Sequence, residues 1–556
     1  MFRPIVIAMF IVGAMLGGIY GLAVGKFHVF PHDHIKNAFG SLKRLSKREQ
    51  AYDSTQSSLK GASINKIDTT LLMLNVAELR APEDIEDLRG GGITSLGNNA
   101  LIVTNEGEIL IFDGETLTHS KIEAPDNGYE AYVRTAETKY SDYLHKHNRL
   151  RFNDLLFLDD GNNSRLAISY VKWHDDTECY VNAVSLIPLP TGNSNLKEIT
   201  VNASDWKEIY QSHPCLQMRH DVKKGITGHM MGGRLAAMSR GEIAIVNGEG
   251  NSRFLPQDDG SDMGRVVIIP LDGSPARAIN KGLRNPMGLL HDSQGRLWST
   301  EHGPYGGDEL NLIQEGKNYG WPFAAYGVEY QRIPIGTVTE YGRHPNSQKP
   351  AFSWVPSIAP SNLIEVKDFD SAWEGDLIVA TLKSKTLYRL RLDGDRVVYS
   401  EPIKIGVGVR YLQMHSNNQI LGWTDNATLL VITASPMVSS DATLDLVFGG
   451  LDLTNTLEEK VRGAIQSCLE CHTAVAGGYA EDAPSLSGIG RRDIASGDYK
   501  GYSTALSSMG GSWTKEKLSR YLVDPQGFAP GTKMPRMGLK NDEVTEALAQ
   551  VLMTLP

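Results

Sequence analysis

The chain has 556 residues, enough for two to four domains, and its 41% hydrophobic and 22% charged content describes globular material with ample core. A formal charge of −10 without like-charge blocks or a basic stripe argues against a nucleic-acid partner.

The first element is apolar. Pro4 to Val24 (PIVIAMFIVGAMLGGIYGLAV) carries no charge and matches the roughly 20 residues a helix needs to cross a bilayer. It lacks the short apolar core and small-x-small site of a secretory signal, so residues 1–26 read as an uncleaved membrane anchor, with a cleaved signal as the alternative. The basic flank (Lys26, Lys36, Lys43, Arg44, Lys47, Arg48) favours cytoplasmic retention, a bias to which large C-terminal domains respond weakly. Residues 27–70, polar and basic, read as a stalk.

From 71 to 435 the pattern is one of short paired strands. LIVTNEGEILIFDGE pairs across Asn105-Glu106-Gly107, LAISYV with AVSLI, EIAIV with RVVII and RLWSTE with ELNLI. DLIVATL pairs with TLYRLRL across Lys383-Ser384-Lys385, and QILGWT with TLLVIT across Asp425-Asn426-Ala427. Six pairs at irregular spacing predict a six-bladed β-propeller, which solves the edge problem that so many short strands create. Cys179 and Cys215 form one even pair, bonded or present as two buried thiols.

Residues 436–455 read as a linker, and 456–556 as a small all-α domain. TNTLEEKVRGAIQ places Leu457, Val461 and Ile465 on one helical face, with Asn455 and Glu458 placed to cap its start. NDEVTEALAQVLMTL does the same with Val544, Leu548, Val551, Leu552 and Leu555. Between them lies Cys468-x-x-Cys471-His472, the attachment signature of c-type haem. Thioether bonds from both cysteines would fix the porphyrin, His472 would ligate iron from one side, and a methionine from PGTKMPRMG from the other. Met534 is the first candidate for that ligand, ahead of Met537 and Met509. A zinc site would need two further Cys or His ligands, and no histidine follows His472.

This region resembles a class I cytochrome c, carrying APSLSGIGRR, GYSTAL, GSWTKEKLSRYLVDP and PGTKMP in the family's order. The resemblance implies that Tyr502 and Trp513 hydrogen-bond a haem propionate, with Arg491 near it.

Within the propeller, GLRNPMGLLHDSQGRLWSTEHGPYGGDELNLIQEGKNYGWP (282–322) sets a cation beside a carboxamide, a glycine-rich turn with free carbonyls, and two acids, Asp308 and Glu309. Ca²⁺ accepts such carbonyls among its six to eight oxygens, although a solvated blade turn has the same composition. The stretch resembles the signature of the soluble quinoprotein sugar dehydrogenases, the aldose sugar and glucose/sorbosone dehydrogenase family, which are six-bladed propellers carrying pyrroloquinoline quinone (PQQ). FAAYGVEYQRIPIG, PAFSWVPSIAPSNL and GDLIVATLKSKTLYRLRLDGD extend the resemblance.

It implies that Gly303 and Pro304 carbonyls hold a catalytic Ca²⁺, and that Arg284, Asn285, Lys383, Arg410 and Arg234 belong to the cofactor site. Glu309 and Tyr319 would serve a structural Ca²⁺, and His229 would be the base for the anomeric hydroxyl of an aldose. Three departures stand out: one extra residue between His229 and Arg234, Leu412 in place of a second arginine, and Asn153 where a glutamine is expected.

The implied protein is an inner-membrane-anchored dehydrogenase facing the periplasm. It would oxidise an aldose and pass electrons to its own haem, then to a downstream cytochrome or terminal oxidase. The alternative is a haem c electron-transfer protein whose propeller is a cofactor-free binding scaffold.

Overall fold

Each strand pair read from the sequence becomes two adjacent interior strands of a separate antiparallel sheet. A computed structural model describes residues 58–555, apart from 61, 63, 86–89, 140–148, 160–163, 190–195, 219–225, 240, 340, 417, 437–439, 475–482, 498, 500 and 541. The predicted anchor lies outside the described residues. Among those described, no helix is long and apolar enough to cross a membrane. The chain divides into two units, Met1–Ala434 and Ser435–Pro556.

The first unit is a six-bladed propeller. Its inner strands are Gly92–Leu96, Phe152–Leu158, Gly232–Ala237, Pro286–His291, Pro360–Glu365 and Val409–His415, and they touch one another in a closed ring. Numbering blades in that order, blade 6 is completed by the N-terminal strands Leu72–Arg80 and Ile64–Asp68, which pair onto Thr428–Pro436. The predicted stalk therefore ends earlier than residue 70. Ile64–Asp68 is the outermost strand of the blade, and the ring closes because both ends of the propeller share this sheet.

The inner strands escaped the sequence reading for a physical reason. In blades 2 to 6 the second residue is a β-bulge: Asn153, Gly233, Met287, Ser361 and Arg410 have no cross-strand partner. Just beyond the bulges, buried polar groups lace neighbouring blades. Asp154 Oδ2 accepts from Leu235 N–H at 2.8 Å, and Asn362 Oδ1 from Leu412 N–H at 2.8 Å. Bulges and interior polar residues break the alternation that marks a strand.

Cys179 and Cys215 are bonded, with Cα atoms 5.6 Å apart, tying blade 2's third strand to the segment after its fourth.

In the second unit, helices Asn455–Leu469, Lys515–Val523 and Glu543–Thr554 enclose a core containing Val461, Ile465, Leu518, Leu548, Val551, Leu552 and Leu555. Thr454, not Asn455, caps the first of these, its side chain accepting from Leu457 N–H at 3.4 Å. The predicted linker is partly structured: Ser440–Gly449 is a helix that contributes Leu444 and Phe448 to this core. Its apolar residues have a face to cover, which a free linker would not.

Candidate functional site

All six inner strands start at the same end of the propeller, and the bulges aim side chains and carbonyls toward the axis there. A cleft of about 220 Å³ opens at this end. Its walls include His229, Asn285, Met287, His302, Asn153 and Arg410, with Arg149 and Arg151 entering from the approach to blade 2. The glycine before His229 is required: Gly228 has φ +73°, and a Cβ there would meet Arg149 O at 2.5 Å.

His229 is brought to the cleft as the resemblance implied. Burial pushes its pKa down to about 4, helped by Arg149, Arg151 and Arg284, so the imidazole is neutral at physiological pH. Asn285 reaches the cleft, and Arg410 reaches it while holding Asp425 through two hydrogen bonds of 2.8 and 2.9 Å. Arg284 lies behind the cleft, buried, donating to His302 O at 2.9 Å and stacked 5.1 Å from the Trp321 ring. Lys383 is exposed on the Thr381–Thr386 turn of blade 5, at the same end, with its ammonium 5.8 Å from the Tyr305 ring; it does not line the cleft.

Arg234 corrects the expectation. Its guanidinium donates to the carbonyls of Gly91 (2.7 Å), Asn153 (2.5 Å), Met287 (3.0 Å) and Arg410 (3.3 Å). Three of these carbonyls belong to bulge residues, freed from their ladders. Arg234 is thus the hub that satisfies them at the axis, four of its five N–H groups being spent on backbone carbonyls. Leu412, where a second arginine was expected, is wholly buried inside blade 6.

Gly303 and Pro304, expected to hold a catalytic Ca²⁺, and Glu309 and Tyr319, expected to serve a structural one, line a single small pocket of about 20 Å³ with Glu301 and Arg284. The sequence reading missed Glu301. It accepts from Arg284 N–H at 2.6 Å and from Asn311 Nδ2 at 2.8 Å. Burial raises its pKa to about 7; burial and the facing Glu301 raise Glu309 well above the usual carboxylate range. Gly303 admits no side chain, since a Cβ would meet Gly306 O at 2.1 Å. Among the described residues no group of three acidic, Cys or His side chains is poised for a metal, so a cation here must take backbone oxygens as well.

In the second unit an apolar cavity of about 160 Å³ is lined by Cys468, Cys471, His472, Met534, Tyr502 and Trp513, together as expected. His472 Nδ1 donates to Pro484 O at 2.6 Å, which leaves Nε2 as the free ligand nitrogen. Burial pushes the Cys468 thiol up to about 11. Thr532 joins the methionine loop to the helix, its hydroxyl 2.7 Å from Tyr521 Oη and accepting from Met534 N–H at 3.4 Å. Arg492, not Arg491, lines the cavity, and Met509 and Met537 are absent from its walls. Arg491 ends a short 3₁₀ turn with its side chain outward.

The residues present fit the implied groups. At the propeller end, Asn153 Nδ2 and Arg284 Nε are buried donors and Asn285 Oδ1 a buried acceptor, all without a hydrogen-bond partner, a set suited to a planar ligand that carries carboxylates and an N–H donor. In the helical unit, two thiols, an imidazole with Nε2 free and a thioether share one apolar cavity.

Fold and site define a propeller oxidoreductase joined to a helical domain of the cytochrome c type. The glucose/sorbosone dehydrogenase family matches residues 162–431. Aldose sugar dehydrogenase YliI of Escherichia coli is 27% identical over 299 residues, covering 50% of this chain and 75% of that protein. Cytochrome c of Cannabis sativa is 38% identical over 77 residues, covering 14% of this chain and 68% of its own length. The crystal structure of the soluble aldose sugar dehydrogenase from Escherichia coli shares the fold, with a TM-score of 0.52 and 24% identity over 65% of this chain and 99% of that one. The propeller is thus similar to the glucose/sorbosone dehydrogenases, and the chain belongs to the cytochrome c family through its C-terminal domain.

Proposed function

We propose that the protein is a quinohaemoprotein dehydrogenase that oxidises an aldose at its C1 hydroxyl. Electrons would pass from the propeller to a covalent class I haem c in the same chain, and on to a respiratory acceptor. When bound, PQQ with Ca²⁺ supplies a two-electron acceptor, and haem c a one-electron carrier.

The single observation that carries this reading is the convergence of His229, Asn285 and Arg410 on one axial cleft bounded by orphaned polar atoms. Neutral His229 takes the proton from the substrate hydroxyl at an imidazole nitrogen. Arg410 and Asn153, with Arg149 and Arg151, offer donors and positive charge to the cofactor's carboxylates, and with Asn285 Oδ1 as acceptor they fix its orientation. Gly303 and Pro304 with the Glu301–Glu309 pair offer oxygens to Ca²⁺. In the second unit Cys468 and Cys471 would hold a haem through thioether bonds, and His472 and Met534 would be its iron ligands. The apolar Pro4–Val24 run and the Cys179–Cys215 bond support an anchored, periplasmic setting. Joining both centres in one chain raises their effective concentration.

Adding PQQ, Ca²⁺ and a panel of aldoses to the haem-loaded protein tests it. Reduction of the haem by at least one aldose, dependent on PQQ, is expected. Intact haem with no quinone binding would favour the scaffold reading, which the commitments of Arg234 to carbonyls and of Arg410 to Asp425 support.

The paired carboxylates make a further prediction. Their folded pKa values are raised, so the folded state holds protons that the unfolded state has lost, and stability falls as pH rises from about 4.5 through about 7. Ca²⁺ should therefore raise Tm more at pH 8 than at pH 5.5. Glu309→Gln should flatten the pH dependence in EDTA and lose the Ca²⁺ response. Scanning calorimetry of the four combinations decides it; equal Tm with and without Ca²⁺ would remove the cation from this cavity.

A further inference from the structure

His302 stands between the propeller's two pockets, a wall of the axial cleft and of the small Glu301–Glu309 pocket alike. Its N–H donates to Asn285 O at 3.0 Å, just before the inner strand Pro286–His291, so the two side chains leave from paired and fixed backbone positions.

The hydrogen bonds of the ring settle its tautomer. Nε2 lies 2.7 Å from Pro360 O, which can only accept, so Nε2 carries the hydrogen. Buried Asp308 holds this geometry from behind. It accepts from Gly303 N–H at 2.9 Å and from Ile358 and Ala359 N–H at 2.7 and 2.8 Å, tying the residue after His302 to the two residues before Pro360. Burial keeps the ring neutral, and a neutral ring protonated at Nε2 is an acceptor at Nδ1.

That acceptor faces the Asn285 carboxamide, whose Nδ2 donates to it at 3.4 Å. An acceptor there admits the amide nitrogen and rejects the amide oxygen, so the carboxamide has one orientation. Asn285 Oδ1 is left buried with no hydrogen-bond partner among the described residues, and Asn285 is itself a cleft wall. The rest of the cleft is rich in donors, with Asn153 Nδ2 unpartnered and Arg149, Arg151 and Arg410 adding positive charge. An anionic ligand meets those donors with its oxygens. Only a group that carries a proton can meet Asn285.

Building on the dehydrogenase reading above, we infer that His302 is a positioning residue. By fixing the Asn285 carboxamide it makes this point of the cleft specific for an N–H or O–H donor and closes it to carbonyl and carboxylate oxygens. For a quinone with several carboxylates and one ring N–H, such a point decides which edge enters. A hydroxyl of the aldose supplies the same chemistry, and the experiment separates the two sources.

Two variants divide the two bonds of the ring. His302→Asn puts a carboxamide oxygen near the place of Nδ1, keeping an acceptor for Asn285 and giving up Pro360. His302→Gln reaches to the place of Nε2, keeping Pro360 and giving up Asn285. Full-length, haem-loaded proteins are titrated with PQQ by intrinsic fluorescence, then with glucose after anaerobic reduction, where no turnover occurs. If the cofactor is the donor, PQQ affinity should stay within about threefold of wild type in the asparagine variant and fall about tenfold in the glutamine variant, the scale of one buried acceptor left unpaired. If the sugar is the donor, PQQ affinity should be unchanged in both and glucose affinity should show that split. Asn285→Leu should weaken the same ligand as His302→Gln does. Equal affinities in the two His302 variants overturn the inference, as does the reverse order, which would make Pro360 the partner that matters. Unchanged affinity for both ligands in Asn285→Leu overturns it whether or not the His302 variants fold. A wild type that takes up no PQQ removes the dehydrogenase reading itself, and this inference with it.

Discussion

Replacing Cys468 and Cys471 together by Ser should abolish covalent haem, leaving a protein with no haem stain after denaturing electrophoresis. The effect should reach stability as well as redox. The cavity these residues line measures about 160 Å³. At about 24 cal/mol per Å³ of unfilled apolar volume, losing its occupant costs on the order of 4 kcal/mol, a large share of what holds a domain of this size together. Calorimetry should therefore show the helical domain melting early or without cooperativity, while the propeller transition is unmoved. Met534→Ala provides the contrast. Haem should remain attached and the fold largely intact, but the reduction potential should fall and the iron should open to carbon monoxide. Wild-type melting of the double cysteine variant would mean that the cavity does not depend on a covalent prosthetic group.

His229→Gln should lower kcat/KM for the aldose by about 10²- to 10⁴-fold with PQQ binding retained, because a carboxamide cannot accept the proton. The pH profile is equally diagnostic. With the imidazole's pKa pushed down to about 4 by burial and three arginines, the base remains competent through mildly acidic pH, and the acid limb should fall near pH 4, not 6.5. Stability carries the same signature. Between about pH 6.5 and 4 the unfolded chain takes up a proton at this histidine that the folded chain does not, so stability declines as pH falls through that window. A shift of this size corresponds to roughly 3 kcal/mol, and His229→Gln should remove that part of the acid sensitivity. An unchanged rate would make His229 a buried structural histidine and return the base assignment to another cleft residue.

Much of this was legible before the fold. The middle strands of the blades are continuous apolar and β-branched runs separated by turns, so their pairing followed from local pattern. The residues proposed to hold haem sit in short local motifs, and a Cys-x-x-Cys-His turn positions its own residues whatever the rest of the chain does. The inner strands, by contrast, carry the bulges and the buried Asp154 and Asn362, whose value lies entirely in partners a blade away. Arg491 and Arg492 are adjacent in sequence, and only the direction of the backbone after the 3₁₀ turn distinguishes them.

Local pattern was enough for the order of parts: an apolar N-terminal run, six strand pairs, and a haem-attachment motif between two amphipathic helices. Local periodicity and local motifs are written within a few residues, so one chain suffices to read them. Tertiary structure alone decided that Arg234 serves four carbonyls at the axis and that Glu301 faces Glu309. Each of these depends on residues far apart in the chain meeting in space, and ring closure, not any local pattern, brings them together.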